Sequence, residues 1–132
     1  MKRSVFLLFL LLVIPVSISF STPPTSITLS YDASKGILHV EAIHPSFNLE
    51  KSYVRLMNVY VNGNQVSTMN YSRQDDPNKF TDDVPVSAQE GDVIKVDLFC
   101  SLGGELAQEL TVTKPEASKP NQSTDTGPVN GE

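Results

Sequence analysis

The sequence predicts an all-β domain, and two observations carry that prediction. Apolar and polar residues alternate with a period of two between about residues 26 and 113, which is the pattern of half-buried strands rather than of helices. Turn-forming pairs such as Lys35-Gly36, Asn62-Gly63 and Gly103-Gly104 recur between the alternating runs. Short strands separated by regular turns favour two antiparallel sheets packed face to face.

The alternation predicts seven strands, and each has a local reason. The strands are expected at residues 26–32, 37–44, 53–61, 65–71, 80–86, 93–100 and 106–112. Asn62-Gly63 is a strong hairpin signal between the third and fourth strands. Pro85 lacks the N–H that an inner strand needs, so the fifth strand is expected at a sheet edge. Seven short strands of this kind predict a seven-stranded immunoglobulin-like β-sandwich.

The two ends of the chain differ from this domain in composition. Lys2 and Arg3 precede an apolar run over residues 5–14, and small residues follow Pro15, which is the order of a secretory signal peptide. The run is shorter than the roughly 20 residues that a membrane-spanning helix needs. We therefore expect a signal peptide at 1–21 cleaved after Ser21, a linker at 22–25, the folded domain at 26–113 and a disordered tail at 114–132. The mature domain is expected to be exported, to the periplasm or the extracellular space.

Charge narrows the classes of partner. The 132-residue chain has a formal net charge of −5, and removal of the signal peptide would take two basic residues away. No cluster of Lys or Arg follows, so we expect neither nucleic acid nor, after cleavage, a membrane as a partner. A protein partner or a small ligand remains. The pairs Asp75-Asp76 and Asp82-Asp83 are expected to be solvated loop charges, because a calcium site needs a denser spacing of oxygen ligands.

Two residues could carry chemistry, His44 and Cys100. No phosphate loop, nucleophile elbow or paired-cysteine motif is present in the sequence. His44 falls in phase with the Leu38 face of its strand, and Cys100 ends another strand. Because strand ends meet at the poles of a sandwich, an imidazole and a thiolate there could share iron, zinc or copper. Cys100 has no disulfide partner, so it could instead be a free thiol, an intermolecular bridge or a buried apolar residue.

Several short segments, in order, resemble the iron domain of superoxide reductases, the desulfoferrodoxin and neelaredoxin family. They are Ile43-His44-Pro45-Ser46, Glu50-Lys51-Ser52-Tyr53-Val54-Arg55-Leu56, Asn62-Gly63, Gly91-Asp92 and Phe99-Cys100-Ser101-Leu102-Gly103-Gly104. The resemblance covers about residues 26–113 and implies a seven-stranded immunoglobulin-like fold. It also implies an iron held by four histidines around an axial cysteine thiolate, where superoxide takes up one electron.

The ligands of that family carry over only in part. Cys100 matches the axial cysteine, and His44 matches the histidine of the His-Pro segment. Ser52 and Gly103 stand where two further histidines belong, and no histidine lies near Ser26, where the first is expected. The family's catalytic lysine has no secure counterpart. Two donors cannot fix a five-coordinate iron, so the resemblance predicts a degenerate site at His44 and Cys100.

Three interpretations follow from the sequence. The first is a non-catalytic binding or interaction module that keeps the scaffold and needs no cofactor. The second is a divergent redox protein in which His44 and Cys100, with Met57, Met69 or an acidic side chain, bind iron or copper with residual superoxide reductase-type activity. In the third, His44 caps a strand before a proline and Cys100 is a core residue.

Overall fold

A computed structural model describes residues 23–114. The signal peptide expected at 1–21 lies outside the described residues, as does the tail expected at 114–132 except for Lys114. The seven elements of the described chain are all strands, and the all-β prediction is confirmed. They are β1 Ser26–Asp32, β2 Ile37–Ile43, β3 Val54–Val61, β4 Asn64–Asn70, β5 Lys79–Pro85, β6 Val93–Cys100 and β7 Glu105–Thr111. No end differs from its predicted position by more than one residue.

The strands form two antiparallel sheets. One sheet has three strands in the order β1-β2-β5, and the other has four in the order β4-β3-β6-β7. The edge position expected for β5 from Pro85 is confirmed. Within residues 23–114 no helix is long and apolar enough to span a membrane.

The core lies between the sheets and follows the alternation. On β2 and β6 every second side chain is buried, and the inner rows are Leu38, Val40, Ala42, Ile94, Val96, Leu98 and Cys100. Burying an aliphatic side chain stabilises the fold by roughly 1.5–3 kcal/mol, so these rows contribute strongly to holding the two sheets together. His39 points to the solvent face, as its position between Leu38 and Val40 predicts.

A β-bulge near the start of β3 breaks this alternation. Val54 pairs with Cys100 and Leu56 with Phe99, so Arg55 is an extra residue on β3. Val54 and Met57 are consequently both buried although they lie three positions apart. A bulge inserts one residue and shifts the phase of the strand. It sets the position of the loop that leads into β3 beside Cys100.

Candidate functional site

The two residues predicted from the sequence lie at the same end of the sandwich, on opposite sheets. His44 directly follows β2, and Cys100 is the last residue of β6. The loop 46–53 connects these strand ends. The hydroxyl of Ser46 donates to the carbonyl oxygen of Ser52 at 2.6 Å, and the N–H of Ser101 donates to the carbonyl oxygen of Tyr53 at 2.9 Å. We call this end, formed by the loops 44–53, 71–78 and 101–104, the pole.

His44 is fully buried and is held by the side chain of Gln74. The amide nitrogen Nε2 of Gln74 donates to the carbonyl oxygens of His44, at 2.9 Å, and Asp76, at 2.6 Å. Both partners can only accept, so the other end of the amide is Oε1, and it accepts a hydrogen bond from Nδ1 of His44 at 2.8 Å. The network therefore fixes the imidazole tautomer with the proton on Nδ1, and Nε2 is the acceptor atom of the ring.

The backbone around His44 is paired as well. The N–H of His44 donates to the carbonyl oxygen of Asn78, and the N–H of Ser46 donates to that of Pro77. The N–H of Gln74 donates to the carbonyl oxygen of Leu49. These bonds tie loop 71–78 to loop 44–53, so the polar groups at this pole are satisfied by each other, as buried polar groups need to be.

Cys100 lies in apolar surroundings. Only 2% of its surface is exposed, and it belongs to the core cluster between the sheets. Burial raises the pKa of the thiol to about 11, against the opposing effect of the positive charge of Arg55. Reactive and metal-binding cysteines have lowered pKa values in exposed, electropositive surroundings, so Cys100 has the character of a structural cysteine.

The residues at the pole do not fit the iron site that the resemblance implies. Within residues 23–114, no three side chains of the types His, Cys, Asp and Glu come together in a group that could hold a metal ion. Ser52, at one family histidine position, is buried but offers a hydroxyl group. Gly103, at another, has φ of +92°, a backbone conformation that a histidine adopts only with strain. Ser26, near the first, is an exposed residue that begins β1.

The other side chains considered as ligands lie elsewhere. Met57 and Met69 are directly opposite each other on β3 and β4, and Met57 is buried in the core. His39 is exposed, and its Nδ1 lies 2.6 Å from Oδ1 of Asp83 on the neighbouring strand.

An apolar groove opens at the pole beside these residues. It has a volume of about 580 Å³ and is lined mainly by apolar side chains, with Lys51 as the only charged one. The lining residues are Pro23, Pro24, Thr25, Pro45, Phe47, Asn48, Lys51, Ser52 and Leu102. The side chain of Phe47 is completely exposed, and Leu102 is about half exposed.

The loop that carries Phe47 is held in place on both sides. Ser46 is bonded to Ser52, and the N–H groups of Lys51 and Ser52 both donate to the carbonyl oxygen of Asn48. The hydroxyl of Ser101 donates to the carbonyl oxygen of Lys51 at 2.7 Å. An anchored loop thus presents a large apolar side chain that packs against nothing among the described residues.

Gln74 and Asp82 were the residues whose roles the sequence did not reveal. The stretch 72–78 is mostly polar, and nothing in it distinguishes Gln74, which is buried where the loops 71–78 and 44–53 meet. The expectation that Asp82 and Asp83 are loop charges is wrong, because both lie within β5. Asp82 lies within β5 and accepts a hydrogen bond from the hydroxyl of Tyr71, whose ring packs edge-on against Phe80 at 4.9 Å between centroids. Burial and the Asp82 carboxylate raise the pKa of Tyr71.

Comparisons with known proteins do not identify the chain. No protein-family model matches it, and no curated protein matches its sequence. The resemblance to superoxide reductases therefore remains a prediction from the motifs, and function has to be argued from the pole itself.

Proposed function

We propose that this chain is an exported, non-catalytic binding module with an immunoglobulin-like fold, related to the superoxide reductase iron domain but without its iron. The proposal rests on one observation above all, the completely exposed Phe47 on an anchored loop at the rim of an apolar groove. Burying an aromatic side chain of this kind contributes roughly 1.5–3 kcal/mol. In the unbound state Phe47 stays exposed and this stabilisation is absent. Binding of a partner with an apolar group would bury Phe47 and so stabilise the complex.

The environments of the two retained ligand residues support the non-catalytic half of the proposal. Gln74 holds Nδ1 of His44, and Cys100 is a neutral core thiol. The hydrogen bonds among the loops join the two strand ends, as a bound metal ion would in an iron site. A fold stabilised in this way has no need of a metal to keep its pole together.

Iron binding and superoxide consumption test the non-catalytic half. The purified chain is incubated with ferrous iron, desalted and measured for metal content, for an absorption band from a thiolate–iron centre and for superoxide consumption. We expect substoichiometric iron, no visible band and no activity above buffer. One iron per chain together with superoxide reduction would contradict the proposal.

An apolar fluorescent dye, 1-anilinonaphthalene-8-sulfonate, tests the binding half. We expect its emission to rise with the native chain and to fall substantially with Phe47→Ser. Val66→Ser removes an apolar side chain that is about half exposed on β4, away from the groove, and is the matched control. Equal emission from the native chain and Phe47→Ser would show that the groove does not bind apolar groups.

The divergent metalloprotein is the second candidate, and one observation favours it. The Gln74 amide fixes the His44 tautomer in which Nε2 is the acceptor, the arrangement by which neighbouring groups orient metal-binding histidines. Metal analysis of the native chain and Cys100→Ser, each loaded with iron or copper, distinguishes the candidates. A metal content that is lost in Cys100→Ser would favour this second function, and equal contents would rule it out.

A further inference from the structure

The strand β4 is an edge strand that lacks most of the usual protection against pairing. Its seven residues are Asn, Gln, Val, Ser, Thr, Met and Asn, with no charge and no proline. Natural edge strands are commonly guarded by charged side chains, prolines or bulges, because their free backbone groups can pair with another strand. β5, the edge strand of the other sheet on the same side, follows that rule. It carries Lys79, Asp82, Asp83 and Pro85.

The remaining two edges of the sandwich are less available. β1 and β7 lie against each other where the two sheets meet on the opposite side. β4 therefore stands out among the four edges of the described chain, because neither charge nor a neighbouring strand covers it.

The direction of the free backbone groups on β4 follows from its register. The N–H of Tyr71 donates to the carbonyl oxygen of Arg55, and Met69 is paired with Met57 two positions further on. Hydrogen-bonded pairs alternate along an antiparallel ladder. The N–H and C=O groups of Asn70, which lies between those two pairs, and of Thr68, the next residue beyond Met69, consequently point away from β3 and out of the sheet edge.

A bulge does interrupt β4, but near its start. The register shifts between Val59 and Tyr60, which makes Val66 the extra residue on β4. The strand from Ser67 to Asn70 is regular beyond that point. The bulge thus leaves the outward-facing groups of Thr68 and Asn70 free to pair.

We propose that β4 pairs antiparallel with β4 of a second copy of this chain, centred on Met69. Thr68 of each copy would then lie opposite Asn70 of the other, and these pairs would exchange about four backbone hydrogen bonds. The two four-stranded sheets would become one continuous sheet with a two-fold axis.

The chemistry of β4 favours a second copy as its partner. A symmetric pair places like residues near like, which is unfavourable for a charged strand because like charges directly opposite repel. The uncharged β4 has no such penalty, whereas the same pairing of β5 would bring Asp82 and Asp83 of two copies together. This inference concerns a surface other than the apolar groove and does not depend on the proposed function.

Sedimentation equilibrium of the purified chain tests the proposal. We expect a monomer–dimer equilibrium that becomes visible between about 10 µM and 1 mM, since the contact is small and small interfaces are weak. The double variant Thr68→Lys/Asn70→Lys should weaken the dimer about tenfold or more, because lysines would face each other across both pairs. Thr81→Lys, which adds a lysine to the exposed face of β5, should leave the equilibrium unchanged.

A charge-swap experiment separates repulsion from misfolding. An equimolar mixture of Thr68→Lys/Asn70→Lys with Thr68→Glu/Asn70→Glu should form a heterodimer at concentrations at which neither variant forms a homodimer. Asn70→Pro, which removes an outward N–H without breaking a bond to β3, should abolish the native dimer. A native chain that stays monomeric throughout the range would overturn the proposal, as would a dimer that neither the lysine nor the proline variant weakens.

Discussion

The surroundings of His44 and of Cys100 differ, although the two residues lie at one pole of the sandwich. His44 sits among hydrogen-bonding groups, with the Gln74 amide fixing its ring and backbone carbonyls closing the network around it. Cys100 sits among aliphatic side chains, and no polar group is needed to keep it there. Directed hydrogen bonds hold His44 in place, whereas apolar packing holds Cys100.

The difference shows how a pole of this kind can stay folded without a metal. A metal centre would hold both residues through one ion, so losing the ion would leave both unsupported. Here Gln74 holds His44 and the core holds Cys100, and the loop 46–53 joins the two strand ends through hydrogen bonds.

Gln74→Ala should have the largest effect, because it opens the network around His44. The change removes the acceptor for Nδ1–H and the donors to the buried carbonyl oxygen of His44 and the partly buried one of Asp76, and each unsatisfied buried group costs about 1–3 kcal/mol. With partial access of water, we expect the free energy of unfolding to fall by about 2–4 kcal/mol, measured by urea denaturation.

Gln108→Ala is the matched control for that variant. Gln108 is exposed and bonds only to the carbonyl oxygen of the adjacent Glu109, so its loss should change stability by no more than about 0.5 kcal/mol. If the two variants were equally stable, the His44 network would contribute nothing to the fold.

The thiol of Cys100 should make the native state sensitive to alkaline pH. Its pKa is raised to about 11, whereas an unfolded cysteine titrates at about 8.5–9. Between these values the native state keeps a proton that the unfolded state has lost, so stability is complete below about pH 8.5 and falls as the pH rises toward 11. We expect Cys100 to account for a loss of about 1–2 kcal/mol by pH 10.5, measured by urea denaturation.

Cys100→Ala isolates this contribution. Tyr71, whose pKa is also raised, titrates in both proteins and cancels in the comparison. The variant should be less stable at pH 7 because of the cavity, and its stability should fall less steeply above pH 9. Parallel curves for the two proteins would mean that the thiol is accessible to water in the native state.

Ser46→Ala should have the smallest effect of the three. It removes one buried hydrogen bond to the carbonyl oxygen of Ser52, which is worth about 1 kcal/mol. The thermal unfolding midpoint should fall by a few degrees, while Ser87→Ala in an exposed loop should leave it in place. An equal shift of the midpoint in Ser46→Ala and Ser87→Ala would mean that the hydrogen bond from Ser46 does not hold the 46–53 loop in place.

Much of the fold could be predicted from local patterns. Alternation located the seven strands, Pro85 identified β5 as an edge and Asn62-Gly63 located the β3–β4 turn, where both residues have positive φ. These features depend on a few neighbouring residues. The Arg55 bulge could not be predicted, because it arises from pairing with β6, which is about 40 residues away in sequence.

The site was predictable to a lesser degree. The phase of β2 indicated that His44 points inward, and the alternation of β6 indicated the same for Cys100. Gln74 gave no signal, because its burial comes from contacts between two loops rather than from its own segment. The sequence gives no signal for Phe47 either, since a single phenylalanine in a loop can be buried or exposed.

The loop after Cys100 has a consequence for redesigning the pole. Gly103 and Gly104 both have φ of +92°, and the N–H of Cys100 donates to the carbonyl oxygen of Gly104. A substitution of Gly103 by histidine would strain the backbone, because side chains rarely adopt a φ near +92°. Engineering a histidine ligand at this position would therefore require the loop to be remodelled as well.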